Sequence, residues 1–188
     1  LILSKRNLIY FTGYPGSGKS FVIKEALRKI KQIGKLQLHL NIDCKKLSDS
    51  ANTASDFISV FIDELLIQIN TNNVIHTISR DSLHPSKFES KSILIKQLID
   101  QIKDSFDGDI LIWIENLDYL YKFCSEPYIL DTFLLGLVTG AKNINERNPN
   151  HVFVIFSFNI LLQENDSKKH IVSSLITYHA KYAGELSL

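Results

Sequence analysis

The residues of this sequence best suited to chemistry form one glycine-rich octapeptide near its start. Those eight residues are Gly13, Tyr14, Pro15, Gly16, Ser17, Gly18, Lys19 and Ser20. They fit the spacing G-x-x-x-x-G-K-[ST], in which glycine backbones turn successive N–H groups toward an anion. In such a loop the Lys19 ammonium contacts the β- and γ-phosphates of a nucleotide, and the Ser20 hydroxyl coordinates Mg²⁺. The octapeptide therefore predicts a binding site for ATP and Mg²⁺.

The octapeptide is flanked by the elements that such a loop requires. Residues Asn7 to Thr12 form a short apolar run that predicts a buried strand, and Gly13 ends it. From Lys19 to Ile33 apolar residues recur at helical spacing, and Gly34 stops the helix. The start of this helix adds the positive end of its dipole to the loop. This context favours a phosphate-binding loop over a chance match in a glycine-rich turn.

A second apolar run supplies the acidic group that a magnesium site needs. Residues Ile110 to Ile114 lead into Glu115, and Asp118 follows three residues later. We expect Glu115 to hold the water shell of Mg²⁺ together with Ser20. Asn116 stands where many ATPases carry the glutamate that polarises the attacking water, and it is a poor general base because an amide cannot take a proton. The alternative is that Glu115 simply ends a strand and Asp118 caps a helix.

A third apolar run, Val152 to Phe156, is followed by polar residues. In a parallel sheet the carboxyl end of this strand would lie beside the phosphate loop. A polar side chain there can reach the γ-phosphate or the attacking water. Asn159 is the first candidate and Ser157 the second, whereas the alternative is an asparagine in an ordinary turn. The predicted catalytic residues are thus Glu115, Asn116, Asp118 and Asn159.

Strands and helices alternate along the chain, and this order predicts an α/β fold with a parallel sheet. The further predicted elements are strands at Leu36–Ile42, Asp109–Ile114 and Ile176–Tyr182, a turn at Ser48–Asn52, and helices at Thr53–Asn70, Ser92–Phe106 and Pro127–Asn148. We expect a three-layer α/β/α sandwich with a five-stranded parallel sheet in the order 5-1-4-3-2. The apolar residues of the segment 72–90 show neither helical nor strand spacing, so we expect a mobile insertion there.

Composition excludes several classes of protein. A formal net charge of +1 over 188 residues argues against a strongly basic nucleic-acid module. Two cysteines exclude a disulfide scaffold and a cysteine-rich zinc site. No apolar run reaches the length of a membrane span, so we expect no membrane contact. Because the sequence contains no Met, we expect residues 1–188 to be one nucleotide-binding core from a longer protein. The two cysteines, taken as reduced, and the lack of a targeting signal indicate an intracellular protein.

The ordered set of phosphate loop, apolar-acidic strand and polar-ended strand resembles the additional-strand P-loop NTPases, AAA+ and STAND. Within AAA+, the chain looks most like the ATPase core of origin-recognition-complex subunits and their archaeal relatives. Four stretches carry this resemblance: Leu36–Asn41 (second strand), Glu115–Leu120 (Walker B), Val154–Asn159 (sensor 1), and Ile171–Leu175. The last resembles a segment that normally carries a trans-acting arginine, and Ile171 and Leu175 stand where the two arginines would be.

The resemblance implies an ATP-binding subunit that hydrolyses ATP weakly or not at all. It implies a role as a nucleotide-dependent assembly subunit in a hetero-oligomer with other AAA+-like subunits, in an origin-recognition type complex for DNA replication. Residues 1–188 would then be the AAA+-like core without its lid and C-terminal domain. DNA contacts would come through these missing domains, and we expect a nuclear location. The rival is a STAND signalling switch, whose Walker B pattern the stretch from Glu115 to Asp118 fits about equally well. STAND proteins more often end the sensor strand in Arg, so Asn159 favours the initiator type.

Overall fold

A computed structural model describes residues 8–32, 34, 38–71, 91–104, 106, 108–145 and 152–159. Four strands lie within these ranges: β1 (Leu8–Gly13), β2 (Leu38–Asp43), β3 (Ile110–Glu115) and β4 (Val152–Asn159). The α-helices are α1 (Lys19–Gln32), α2 (Cys44–Ser50), α3 (Ala54–Thr71), α4 (Lys91–Asp104) and α5 (Pro127–Asn145). A 3₁₀ helix spans Leu117–Phe123.

The described strands form one parallel sheet in the order β1-β4-β3-β2. This confirms the α/β class and the predicted order of the first four strands. The described part of the sheet has four strands. The predicted last strand, Ile176–Tyr182, lies outside the described residues. The predicted insertion at 72–90 lies outside them as well.

Helices cover both faces of the sheet and confirm the three-layer arrangement. On one face, Ile23 and Leu27 of α1 pack against Trp113 and Phe153 of the central strands. On the other face, apolar side chains of α3, α4 and α5 form the larger core with β2, β3 and β4. The central strands β3 and β4 are apolar on both faces because both faces are covered by helices.

Strand β2 lies at one edge of the described sheet, and its side chains alternate between buried and half-buried positions. Its residues Leu38, Leu40 and Ile42 are buried, and the residues between them are half-buried. The free backbone edge is occupied by a side chain of α3. The Gln68 amide accepts from the Asn41 N–H at 2.8 Å and donates to the Asn41 carbonyl at 2.6 Å. This pairing imitates a further strand and protects the edge.

Several element boundaries differ from the sequence prediction. The turn expected at Ser48–Asn52 is wrong in its first part, because α2 runs to Ser50. Only seven residues long, α2 shows no periodicity, and it is fixed by the Asp43 side chain, which accepts from the Lys45 N–H at 3.1 Å. The sequence prediction also missed the 3₁₀ helix. Strand β4 continues three residues beyond Phe156, so it includes Asn159.

Within the described residues, none of the helices combines the length and the apolar character that crossing a membrane would require.

His39 makes the stability of this fold depend on pH. Burial, together with the nearby Lys31 charge, lowers the pKa of His39 to about 4, below the ordinary value of 6.5. Its ring stacks on the Trp113 ring, with 6.5 Å between the two ring centres. The buried Nε2 of His39 has no hydrogen-bond partner among the described residues. At pH 7 the ring is neutral in both the folded and the unfolded chain. As the pH falls from about 6.5 to 4, the unfolded chain takes up a proton that the folded chain resists.

We therefore expect acidification over this window to remove about 2 kcal/mol of unfolding free energy, once solvent screening of a half-buried ring is allowed for. The His39→Gln variant should lack this pH-dependent part of the unfolding free energy. Urea unfolding of the wild type and the variant between pH 7.5 and 4 measures the difference. A pH dependence identical in the two proteins would contradict the prediction.

Candidate nucleotide-binding site

The glycine-rich loop connects β1 to α1, as predicted, and its backbone takes conformations that favour glycine. Gly16 and Gly18 have φ angles of 79° and 82°. A Cβ atom at Gly13 would lie 2.9 Å from the Ser17 hydroxyl oxygen. The first helical bond of α1 joins the Val22 N–H to the Gly18 carbonyl at 3.0 Å. The amides of the first turn precede this bond, so they lie at the open, positive end of the helix.

Lys19 holds its ammonium group over this loop. Its Nζ lies 2.8 Å from the Tyr14 carbonyl oxygen, 3.1 Å from that of Gly13, 3.4 Å from Ser17 Oγ and 2.9 Å from Asn159 Oδ1. Burial lowers the pKa of Lys19, and the Asp118 carboxylate acts in the opposite direction. Lys19 is therefore a partly desolvated cation surrounded by neutral oxygens, which a phosphate group can replace.

Ser20 and Glu115, the two predicted metal ligands, are in direct contact. The Ser20 hydroxyl donates a hydrogen bond to Glu115 Oε1, joining the start of α1 to the end of β3. Hydroxyl and carboxylate oxygens are the ligand types that Mg²⁺ prefers. Among the described residues, no group of three or more His, Cys, Asp or Glu could hold a metal ion. A Mg²⁺ ion at this pair would therefore need phosphate and water oxygens to complete its octahedron.

Asn159 is the last residue of β4, and Asp118 sets its orientation. The Asn159 backbone N–H donates to Asp118 Oδ1 at 3.0 Å, and its Nδ2 donates to Asp118 Oδ2 at 3.2 Å. Because a carboxylate only accepts, the amide nitrogen faces Asp118 and the amide oxygen faces Lys19. The structure thus gives Asp118 a partner in β4, and the helix-cap alternative for Asp118 is wrong.

Asn116 follows β3 in a left-handed conformation, with φ 57° and ψ 41°. Its Nδ2 donates to Asp43 Oδ1 at 2.8 Å. Sequence reasoning missed Asp43, although this residue ends β2 just as Glu115 ends β3, and the two are paired in register. The sequence did carry a signal for Asp43, namely an acidic residue directly after an alternating strand. It was overlooked because the predicted strand stopped at Ile42, one residue before the end of β2.

Ser157, the second candidate at the end of β4, lines the cavity beside the loop, but its hydroxyl is already engaged inside the sheet. Its side chain is only 2% exposed, and its hydroxyl accepts a hydrogen bond from Trp113 Nε1 at 3.1 Å. The strand continues to Asn159, so Ser157 lies within the sheet instead of after it. The segment Ile171–Leu175, where trans-acting arginines were sought, lies outside the described residues.

The loop and the strand ends enclose a cavity of about 360 Å³. Eight of the predicted residues line it: Pro15, Gly16, Gly18, Lys19, Ser20, Asn116, Ser157 and Asn159. Phe21 and Phe158, which were not predicted, line it as well. This volume lies within the range of small-molecule sites, about 300–1,000 Å³. Three features fit a nucleotide with its metal: the glycine conformations, the desolvated Lys19 cation, and the Ser20–Glu115 pair. The arrangement can bind phosphate groups and a divalent cation together.

The fold and the loop geometry are those of a P-loop nucleotide-binding fold. The structure is similar to a Walker-type ATPase from Pyrococcus abyssi, with a TM-score of 0.52 and 15% identity over 98% of this chain and 49% of that one. It is also similar to the ORC1 protein of Aeropyrum pernix in complex with DNA, with a TM-score of 0.50 and 16% identity over 96% of this chain and 39% of that one. The chain thus spans half or less of the length of these two proteins, and the likeness is one of fold. No protein family and no curated protein matches the sequence.

Removing the Lys19 ammonium should weaken ATP binding by about one to two decades, because a charge-assisted contact to phosphate is worth roughly 1.5–3 kcal/mol. Titration of Lys19→Ala with a fluorescent ATP analogue measures this loss. Lys24→Ala is the matched control, since Lys24 is an exposed lysine of the same helix. Unchanged affinity in Lys19→Ala would show that the loop does not bind the phosphates.

Proposed function

We propose that this chain binds ATP with Mg²⁺ in the cavity and hydrolyses it slowly or not at all. The observation that carries the proposal is the Lys19 ammonium, held over the glycine loop and bonded to the end of β4. A phosphate group that replaced the Tyr14 and Gly13 carbonyl oxygens would gain a full charge interaction with this cation. When bound, Mg²⁺ neutralises charge on the phosphates, and Ser20 and Glu115 are the residues that would hold it.

Slow turnover follows from how the carboxylates of the site are used. Glu115 accepts from Ser20, and Asp118 accepts from both nitrogens of Asn159. Asn116 lines the cavity at the position expected for a general base, yet an amide cannot accept a proton. Among the residues that the structure describes, the site can therefore orient a water molecule but has no carboxylate free of these hydrogen bonds to deprotonate it.

For the role of the whole protein, we propose a nucleotide-dependent assembly subunit of an origin-recognition type complex in the nucleus. The fold likeness to an ORC1 protein and the sequence resemblance described above support this proposal. AAA+-like subunits would be the partners, with nucleotide stabilising an interface between them. DNA contacts would come through domains outside these 188 residues.

A signalling switch of the STAND type is the alternative, and Asn159 favours the initiator type. The Asn159 amide uses both of its ends: the nitrogen donates to Asp118, and the oxygen accepts from Lys19. An arginine has only donors, so it could not accept from Lys19. The bonding of this strand end therefore suits the asparagine of the initiator type.

Direct measurement of binding and turnover tests the proposed chemistry. We expect saturable binding of ATP with Mg²⁺, and single-turnover hydrolysis far below the roughly 1 per second at which typical enzymes begin. Lys19→Ala, purified in the same way, controls for a contaminating ATPase. Steady-state hydrolysis at an ordinary enzymatic rate by the wild-type chain, absent from Lys19→Ala, would contradict slow turnover.

Reconstitution tests the proposed role in assembly. The full-length protein, mixed with AAA+-like subunits from the same organism, should form a stable complex on size-exclusion chromatography with ATP. Lys19→Ala should form much less of this complex, because nucleotide would be missing from the interface. Equal assembly by the two proteins, or assembly independent of ATP, would contradict the role.

A further inference from the structure

The Asn116 side chain has an acidic partner of its own in Asp43. The 2.8 Å bond between Asn116 Nδ2 and Asp43 Oδ1 joins the ends of two neighbouring strands. Asp43 and Glu115 are partners in the register of β2 and β3. The acidic residue at the end of β2 is therefore placed beside the residue that follows Glu115 and lines the cavity.

This bond fixes which end of the Asn116 amide faces the cavity. A carboxylate only accepts hydrogen bonds, so the amide nitrogen must be the atom that faces Asp43. The amide oxygen then lies on the opposite side of the group. Because Asn116 lines the cavity and its nitrogen is engaged by Asp43, we infer that the amide oxygen is the end of the group left to accept a hydrogen bond there.

The backbone around Asn116 supports the same orientation. Asn116 is the one non-glycine residue with a positive φ angle in the described part of the chain. Asparagine tolerates this conformation better than most residues, but it is still an uncommon one. The Asn116 carbonyl accepts from the Tyr119 N–H at 3.0 Å, which starts the 3₁₀ helix. The turn therefore sets the backbone, and Asp43 sets the side chain.

Asp43 belongs to a packed unit of α2 and the 3₁₀ helix. The Lys45 ammonium lies 5.6 Å from the centre of the Tyr119 ring, and Lys122 Nζ lies 2.5 Å from Asp49 Oδ1. Asp43 Oδ1 also accepts from the Lys45 N–H, so its carboxylate is anchored at the start of α2. An anchored acceptor orients its partner better than a mobile one.

We propose that Asp43 is a positioning residue, which holds the Asn116 amide oxygen where it accepts a hydrogen bond from the water that attacks the γ-phosphate. This inference rests on the proposed binding of ATP. In the reaction, the water oxygen bonds to the γ-phosphorus as the bond from that phosphorus to the β,γ-bridging oxygen breaks. ADP leaves, and one water proton passes to an oxygen of the released phosphate, because Asn116 cannot accept it. Asp43 acts only through Asn116.

A transition-state mimic tests this role without relying on turnover. ADP with aluminium fluoride and Mg²⁺ imitates the transferring phosphoryl group together with its attacking water, whereas ADP alone does not. Asp43→Ser keeps a side-chain oxygen to cap α2 but is too short to reach Asn116. We expect it to bind the aluminium fluoride complex about tenfold more weakly, equivalent to about 1.4 kcal/mol, with the affinity for ADP unchanged.

Asn116→Gly tests the same bond from its other end. It removes the amide and suits the left-handed backbone, so it keeps the test valid if Asp43→Ser folds poorly. We expect the same tenfold loss, and no further loss in the double variant, because Asp43 acts through Asn116. Asp49→Ser is the matched control, since it breaks the Asp49–Lys122 contact between α2 and the 3₁₀ helix, and it should leave both affinities unchanged.

The outcomes separate this inference from the proposed function. If the wild-type chain does not bind ADP, the proposed function is wrong, and this inference is wrong with it. If ADP binds but Asp43→Ser and Asn116→Gly bind the aluminium fluoride complex as tightly as the wild type, the inference alone is wrong. Additive losses in the double variant would also overturn it, because Asp43 would then act independently of Asn116.

Discussion

A lysine ammonium group partly removed from water is the constraint on which this site depends. Such a cation is unfavourable unless oxygens or anions surround it. Lys19 obtains these oxygens from two loop carbonyls, a hydroxyl and the Asn159 amide. The arrangement exists because β1 and β4 are neighbours, with Gly13 and Asn159 as partners in the register. The parallel sheet therefore places the phosphate loop beside the end of β4, where Lys19 can reach both.

The same sheet aligns the ends of the other two strands. Strands β2 and β3 end in Asp43 and Glu115 at one level, and the residues after them turn into short helices. Two aspartates in this region orient two asparagine amides: Asp118 orients Asn159, and Asp43 holds Asn116. Both carboxylates therefore accept hydrogen bonds from amide groups of the same site. This use of the carboxylates is the basis of the proposed slow turnover.

The sequence predicted those parts of the structure that depend on local patterns. The glycine loop, the helix after it and the buried strand that ends in Glu115 each follow from composition and periodicity within about fifteen residues. The order of the four described strands was also predicted, from the alternation of strands and helices and from the phosphate loop that follows the first strand. The short helix α2 was missed because two turns are too few to show a period.

Contacts between distant residues could not be predicted in the same way. Asp118 and Asn159 are 41 positions apart, and Asn116 and Asp43 are 73 apart. The orientation of an asparagine amide depends on such distant partners. It therefore cannot be predicted from the local sequence. Ser157 was placed after the strand because the predicted strand ended at Phe156, three residues before the end of β4.

The central claim is that the Lys19 cation is placed to exchange protein oxygens for phosphate oxygens. A crystal structure of the chain with Mg²⁺ and a non-hydrolysable ATP analogue tests this claim most directly. The account predicts the triphosphate in the loop, the Lys19 ammonium moved from the Gly13 and Tyr14 carbonyl oxygens to the β- and γ-phosphates, and the metal beside Ser20 and Glu115. A nucleotide bound elsewhere, or in the loop with Lys19 still on the two carbonyl oxygens, would contradict it.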